Sequence, residues 1–255
     1  MLKDALDRLY TAFDHPESAL DPVQIVRRYP RVDDREIVAF IAAGLAFGRV
    51  ASVMASVESV CAVLGDRPAA FVRSFDPGRD ARSFDHIVHR WIRGRDLAAL
   101  CWILRRLVEE HGSLGNANAS GLTDADAHVG PALEQLAAAA RAIDLTPVYG
   151  RPVPASPGVH YFFARPSSGG ACKRLNLFLR WMVRTDGVDP GGWTKIAASK
   201  LIVPLDTHII RVGQCLRLTQ RRSPGWAMAA EITAGLRALD AADPVRYDFS
   251  LCHLS

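Results

Sequence analysis

Along most of this chain the apolar residues recur at three- and four-residue intervals, the spacing of amphipathic helices. Leu2, Ala5, Leu6, Leu9, Tyr10 and Phe13 form one such stripe, which His15-Pro16 breaks. A short helical turn is predicted over 22–28, stopped by Pro30. Asp33-Asp34-Arg35-Glu36 reads as the acidic start of a helix. Its body, 37–47, is apolar on nearly every side and belongs inside a core, and Gly48-Arg49 closes it. Further helices are predicted over 51–64, 69–75, 85–93, 96–111 and 124–143. Residues 113–119 are rich in Gly and Asn and read as a loop, and the prolines at 152, 154 and 157 make 149–159 a connector. No segment alternates with the period of a strand, so the predicted fold class is all-α.

Composition narrows the setting. The chain has 255 residues, 49% of them hydrophobic and 23% charged, which suits a folded unit of one large domain or two small lobes sharing a core. The net charge of +4 permits a nucleic-acid partner without requiring one, since enzymes of phosphorylated small molecules have similar charge. Cys61, Cys101, Cys172, Cys215 and Cys252 are odd in number and form no CxxC, which argues against a disulfide framework or a zinc ribbon. The separations of His160, His208 and His253 are not those of a metal site, so neither metal nor cofactor is expected. The N-terminus has no signal-peptide core and no apolar run nears the ~20 residues that cross a bilayer. The expectation is a soluble cytoplasmic protein without a membrane partner.

Two stretches carry candidate chemistry. In the first, a Ser/Gly turn at 166–171 leads straight into an apolar helix that begins near Lys173. Free backbone N–H groups at such a start favour an anion such as phosphate. The positive end of the helix dipole disfavours a charged amine in the first turn, and an uncharged lysine is a nucleophile. Lys173, Asn176, Arg180 and Arg184 share one helix face, which is equally the pattern of an ordinary solvated side. In the second stretch, Pro204 pushes Val203 out of helical geometry and places Asp206 as the N-cap of a helix beginning at Thr207. Pattern alone leaves open whether Asp206 is only that cap or also a carboxylate at the lip of a cleft.

Pro204-Leu205-Asp206-Thr207-His208-Ile209-Ile210-Arg211-Val212 resembles the catalytic-aspartate helix start of the helix-hairpin-helix DNA glycosylases of the endonuclease III and 8-oxoguanine glycosylase type. That motif reads valine-aspartate-threonine-histidine, two variable positions, arginine, valine. The family also places a catalytic lysine after a glycine-rich hairpin, and Lys173 after Gly169-Gly170 takes that place. Two departures stand out. The glycines are adjacent rather than alternating, with Lys173 three positions beyond Gly170, and 33 positions separate Lys173 from Asp206, a long gap closer to the archaeal 8-oxoguanine branch. Residues 185–200 fill that gap. Residues 36–48 resemble the buried helix opening the family's six-helix barrel, and 229–239 and 243–249 resemble the helices after the aspartate. The whole chain also looks like a bacterial family of unknown function built on this core.

The resemblance implies a two-lobed helical fold, with 1–159 as a helical lobe and 160–255 as the helix-hairpin-helix catalytic half. It implies a monomeric, nucleoid-associated base-excision enzyme acting on damaged double-stranded DNA, removing an oxidised purine through Lys173 and Asp206, with strand cleavage as a second activity. Ser168, Gly169, Gly170 and Ala171, with Arg174, Arg180, Arg184 and Arg211, are then expected at phosphates. Phe47, Gly48, Trp181 and Trp193 are expected at the base pocket, with Trp226 a further stacking candidate. Three rivals remain at this point: a non-catalytic nucleic-acid-binding helix-hairpin-helix protein, an enzyme of small nucleosides, and a helical scaffold. The sequence ends inside a helical pattern at 251–255, which is what a truncated chain would show.

Overall fold

A computed structural model describes residues 2–17 and 20–253; Met1 and the end of the C-terminal pattern, Leu254 and Ser255, lie outside them. Helix accounts for 60% of the structure and strand for 2%, so the all-α expectation holds. In chain order the helices are α1 (Leu2–Phe13), α2 (Val23–Val26), α3 (Val32–Leu45), α4 (Val50–Leu64), α5 (Pro68–Ser74), α6 (Pro77–Asp80), α7 (Gly94–His111), α8 (Leu114–Ala119), α9 (Gly130–Ala142), α10 (Thr146–Tyr149), α11 (Lys173–Val183), α12 (Thr207–Cys215), α13 (Trp226–Arg237) and α14 (Asp248–Cys252). No helix among the described residues is long and apolar enough to cross a membrane.

The all-round apolar α3 is the centre of the packing. Ile37 to Leu45 are buried without exception, and α2, α4, α5, α8 and α11 all lie against it. Each fully buried Ile, Leu, Val or Phe there contributes roughly 1.5–3 kcal/mol. Gly44 admits the ring of Phe162 so closely that a Cβ would sit 2.5 Å from it. One hydrophobic cluster runs from Leu6 to Leu251 and includes α3, α7, α11 and α13, so the two halves of the sequence share a core.

In the acidic start of α3 Asp33 accepts from Asp34 N (3.1 Å) of its own first turn, while the other two carboxylates reach neighbouring helices. Arg31 is the N-cap residue and makes no side-chain cap. The buried Asp34 accepts from Ala69 N (2.9 Å) in the first turn of α5. The buried Glu36 accepts from Leu114 N (2.9 Å) and Gly115 N (3.1 Å) in the first turn of α8, and from Trp193 Nε1 (3.1 Å). Two carboxylates thus replace water at the orphan N–H groups of two neighbouring helices. This is why 113–119, predicted as a loop, is helical: Ser113 caps Asn116 N and Glu36 supplies the remaining acceptors.

Residues 85–93, predicted as a helix, instead end in an antiparallel hairpin. Strands β1 (Val88–His89) and β2 (Ile92–Arg93) pair Val88 with Arg93 and His89 with Ile92, turning at Arg90-Trp91. The inward residues are His89 and Ile92. The imidazole of His89 is accommodated by Ser56 Oγ (2.8 Å) and Phe47 O (3.0 Å), and burial lowers its pKa. Helix α9 begins only at Gly130; Asp126 closes a turn on Thr123 before it. Residues 243–247 likewise form a turn, with α14 beginning at Asp248.

The stretch 185–200 folds back on the end of α11. Gly191 N donates to Trp181 O and Trp193 N to Met182 O, both 2.9 Å, satisfying carbonyls that the helix terminus leaves open. Arg27 and Arg35 reach across from the N-terminal half to the carbonyls of Val188, Pro190 and Gly191.

Candidate active site

Lys173 owes its place to the turn before α11. Pro166–Ser168 makes one 3₁₀ turn, Gly169 then takes a φ of +81°, and Cys172 a φ of +49° as the N-cap residue of α11. The turn is held from two sides. Ser167 donates from N (3.1 Å) and Oγ (2.8 Å) to Glu134, and Trp226 N donates to Gly169 O (3.0 Å). Cys172 provides no side-chain cap, so the first N–H groups of α11 have no partner of that kind. Ser168, Gly169 and Gly170 are exposed and Ala171 is half-buried.

Asp206 is brought to the same place by a buried extended segment. Leu201, Ile202, Val203 and Leu205 are in the core, and Val203 N donates to Thr233 Oγ1 of α13 (3.1 Å). Asp206 then caps α12: its Oδ1 accepts from Ile209 N (2.9 Å). Its Oδ2 lies 3.7 Å from Lys173 Nζ and 3.7 Å from the Cys252 thiol. The carboxylate is both a cap and a partner of the lysine, the two roles that the sequence left as alternatives. The two side chains remain 38% and 17% exposed, so the ion pair itself stabilises the fold by at most about 1 kcal/mol. Its position matters more than its strength.

The pair stands where two hollows meet. One, of about 450 Å³, is bordered by Asp21, Arg180, Asp248 and Cys252. The other, of about 630 Å³, is bordered by Phe47, Tyr161, Arg174 and the turn at Gly170–Cys172. Ala46, Gly48, Lys173, Asp206 and His208 line both. Phe47 lines the second hollow and Gly48 lines both.

Several expected site residues are elsewhere. Trp181 is fully buried in the core. Trp193 is buried too, edge-on to Phe178 (5.0 Å between ring centroids) and bonded to Glu36. Trp226 packs edge-on against His128. Neither Trp181 nor Trp193 lines either hollow. Arg180 and Arg184 are 3% and 5% exposed and are not free for phosphates. Arg180 pairs with Asp189 and Asp248; Arg184 pairs with Asp189, Asp186 (2.7 Å) and Asp243 (2.8 Å). Burial alone would lower the pKa of both guanidiniums, but these carboxylates overcome it and hold them protonated. The basic face of α11 is thus neither a solvated side nor a phosphate contact beyond Lys173. Asn176 on the same face is buried as well, with Nδ2 on Ala171 O (3.1 Å).

Arg174 is half-buried, donates to Tyr161 O (2.7 Å) and stacks on the Tyr161 ring at 3.3 Å; burial lowers its pKa to about 10. Arg211 is exposed on α12.

The sequence reading missed Asp248. It is 1% exposed, borders the smaller hollow, and leaves Oδ1 without a hydrogen-bond partner. Burial pushes its pKa up to about 6, against the pull of Arg180 and with a further push from Asp206. Its signal was indirect: two arginines four apart in an apolar helix need several acidic partners. Trp91, stacked on Phe47, was missed as well.

No curated protein and no solved structure matches the chain. A family model described as "Protein of unknown function (DUF2400)" matches residues 21–255. That span takes in α3, the turn before α11, Lys173 and Asp206, and the chain belongs to that family.

Proposed function

We propose that this protein is a helix-hairpin-helix DNA glycosylase, with an associated lyase activity, that removes a damaged base from double-stranded DNA. The observation that carries the reading is the approach of Lys173 Nζ to Asp206 Oδ2, 3.7 Å, at the waist of an open cleft. The lysine follows a Gly-Gly turn and the aspartate opens a helix, and both sit where the family resemblance puts a nucleophile and its carboxylate.

A base inside a duplex is out of reach of such a cleft, so the target nucleotide has to leave the stack first. Lys173 transfers a proton to Asp206, and the Nζ lone pair then forms a bond to C1′ of the deoxyribose. The C1′–N glycosidic bond breaks, and the base leaves with the electron pair and takes up a proton. Opening of the C1′–O4′ bond, with a proton to O4′, gives the iminium. Loss of a C2′ proton then expels the 3′ phosphate, and hydrolysis returns the amine. Asp206 passes the lysine's proton to the departing base, and its restored carboxylate then faces the cationic sugar state as a fixed opposite charge. Ser168 N and Gly169 N already donate to Arg165 O and Pro166 O, so a neighbouring phosphate would be received by the N–H groups of Gly170 and Ala171.

An oxidised purine is the proposed base, on the strength of the long spacing between the two catalytic residues. The test is incubation with a panel of duplexes, each carrying one lesion, with release of the free base as the readout. At least one lesion is expected to be excised by the wild type and not by Lys173→Gln. Binding without excision across the panel would favour the non-catalytic nucleic-acid-binding alternative.

A further inference from the structure

Beyond the cleft, one feature is unaccounted for by folding. Trp91, at the tip of the β1–β2 hairpin, is 51% exposed, while the other four tryptophans are not among the exposed large hydrophobic residues. Its ring lies on Phe47 with centroids 4.7 Å apart and planes 23° apart. Tyr161 meets the edges of both rings, at 5.1 and 5.2 Å, and the Arg174 guanidinium covers Tyr161. One face of the indole is therefore covered by Phe47 while half of the residue stays open to solvent.

The tip is also fixed in place. Arg90 takes a φ of +55° at the first position of a two-residue turn, where glycine is usual. Its guanidinium lies over Gly48, where a Cβ would come within 2.9 Å of Nε. Gly48 and Phe47 line the hollow that contains Lys173. The stack is thus continuous with the cleft; Arg90, with its guanidinium over Gly48, is exposed, and so is Arg49, the next residue in the chain.

We infer that the open face of Trp91 is a stacking platform for an unpaired nucleobase at the mouth of the cleft. A flat aromatic face beside cations suits a base on a phosphodiester strand, because every base has a π-face and the arginines meet the backbone charge. An aliphatic protein partner would gain little from a rigid stack flanked by exposed arginines. The inference rests on the proposed function only for its choice of a nucleic-acid partner. It does not require Lys173 to react.

The test is fluorescence anisotropy with a labelled oligothymidylate single strand and, separately, a fully paired duplex, using the full chain as wild type, Trp91→Phe and Trp91→Ala. Trp91→Ala is expected to weaken single-strand binding about ten-fold, Trp91→Phe by less than about three-fold, and duplex binding to change by less than about two-fold. Thermal unfolding of each variant confirms that the fold is intact. Equal single-strand affinity in Trp91→Ala and wild type, an equal loss on single strand and duplex, or no single-strand binding by the wild type would each overturn the inference. A wild type that binds through Trp91 yet excises nothing would leave the platform standing and remove the glycosylase.

Discussion

Replacing Glu36 by alanine is expected to destabilise the protein by about 3 kcal/mol. The carboxylate is 2% exposed and serves three donors at once: Leu114 N, Gly115 N and Trp193 Nε1. Each donor left unmatched in a protein interior costs about 1–3 kcal/mol. A hollow of about 290 Å³ lined by Glu36, Ser113, Gly115, Asn116 and Trp193 gives water a route to them, which sets each at the lower end of that range. Removing the side chain also cuts the Trp193 link between the 185–200 stretch and α3, leaving Arg35 on Pro190 O and Gly191 O to hold them together. The assay is urea unfolding followed by far-ultraviolet circular dichroism. For a chain of this size, with a denaturant dependence near 3 kcal/mol per molar, the midpoint should fall by about 1 M. Glu36→Gln keeps one acceptor oxygen but turns an N–H₂ toward donors, so an intermediate loss is expected. A Glu36→Ala midpoint within about 0.2 M of wild type would refute the reasoning, because α8 and Trp193 would then be held by something else.

Two further perturbations separate fold from chemistry. Asp206→Asn keeps a capping oxygen for Ile209 N, and asparagine caps about as well as aspartate, so stability should change by less than about 1 kcal/mol while base excision falls at least about a hundred-fold; an unchanged excision rate would reduce Asp206 to a cap. For Asp248 the pKa is raised from 3.8 to about 6 in the folded state, so its contribution to stability is fully present below about pH 3.8 and is lost as pH rises through 6. Relative to Asp248→Asn, wild-type stability should therefore fall by up to about 3 kcal/mol between pH 4 and pH 7, read from urea midpoints, and parallel profiles for the two proteins would contradict that sign.

The parts of the molecule legible in the sequence are those with local causes. The body of α3 announces itself because eleven successive residues are nearly all apolar. Asp206 was readable as a cap because Pro204 forces the preceding backbone extended, and the structure puts the cap there. The pairing of Asp206 with Lys173 was foreseen through the family resemblance, since nothing local in either segment brings residues 33 positions apart together. What was not legible depends on distant partners. The α8 segment reads as a loop until Glu36, 78 residues earlier, supplies its missing acceptors. The β1–β2 hairpin hides because one of its two inward residues is a histidine, which a hydrophobicity pattern counts as polar. Arg180 and Arg184 read as surface or phosphate-binding residues because a charge near an apolar stripe usually snorkels to water. Here Asp189, Asp243 and Asp248, from two later segments, close over them. Trp181 and Trp193 follow the same logic: large aromatics near a site are more often core, and these two are.

The most direct measurement is reductive trapping followed by peptide mapping. Wild-type protein would be incubated with borohydride and a duplex containing an abasic site or the excised lesion, digested, and the covalent adduct located by mass spectrometry. A single reduced crosslink on Lys173 is expected, weakened in Asp206→Asn and absent in Lys173→Gln. A crosslink on another amine, or none with any substrate the protein binds, would contradict it.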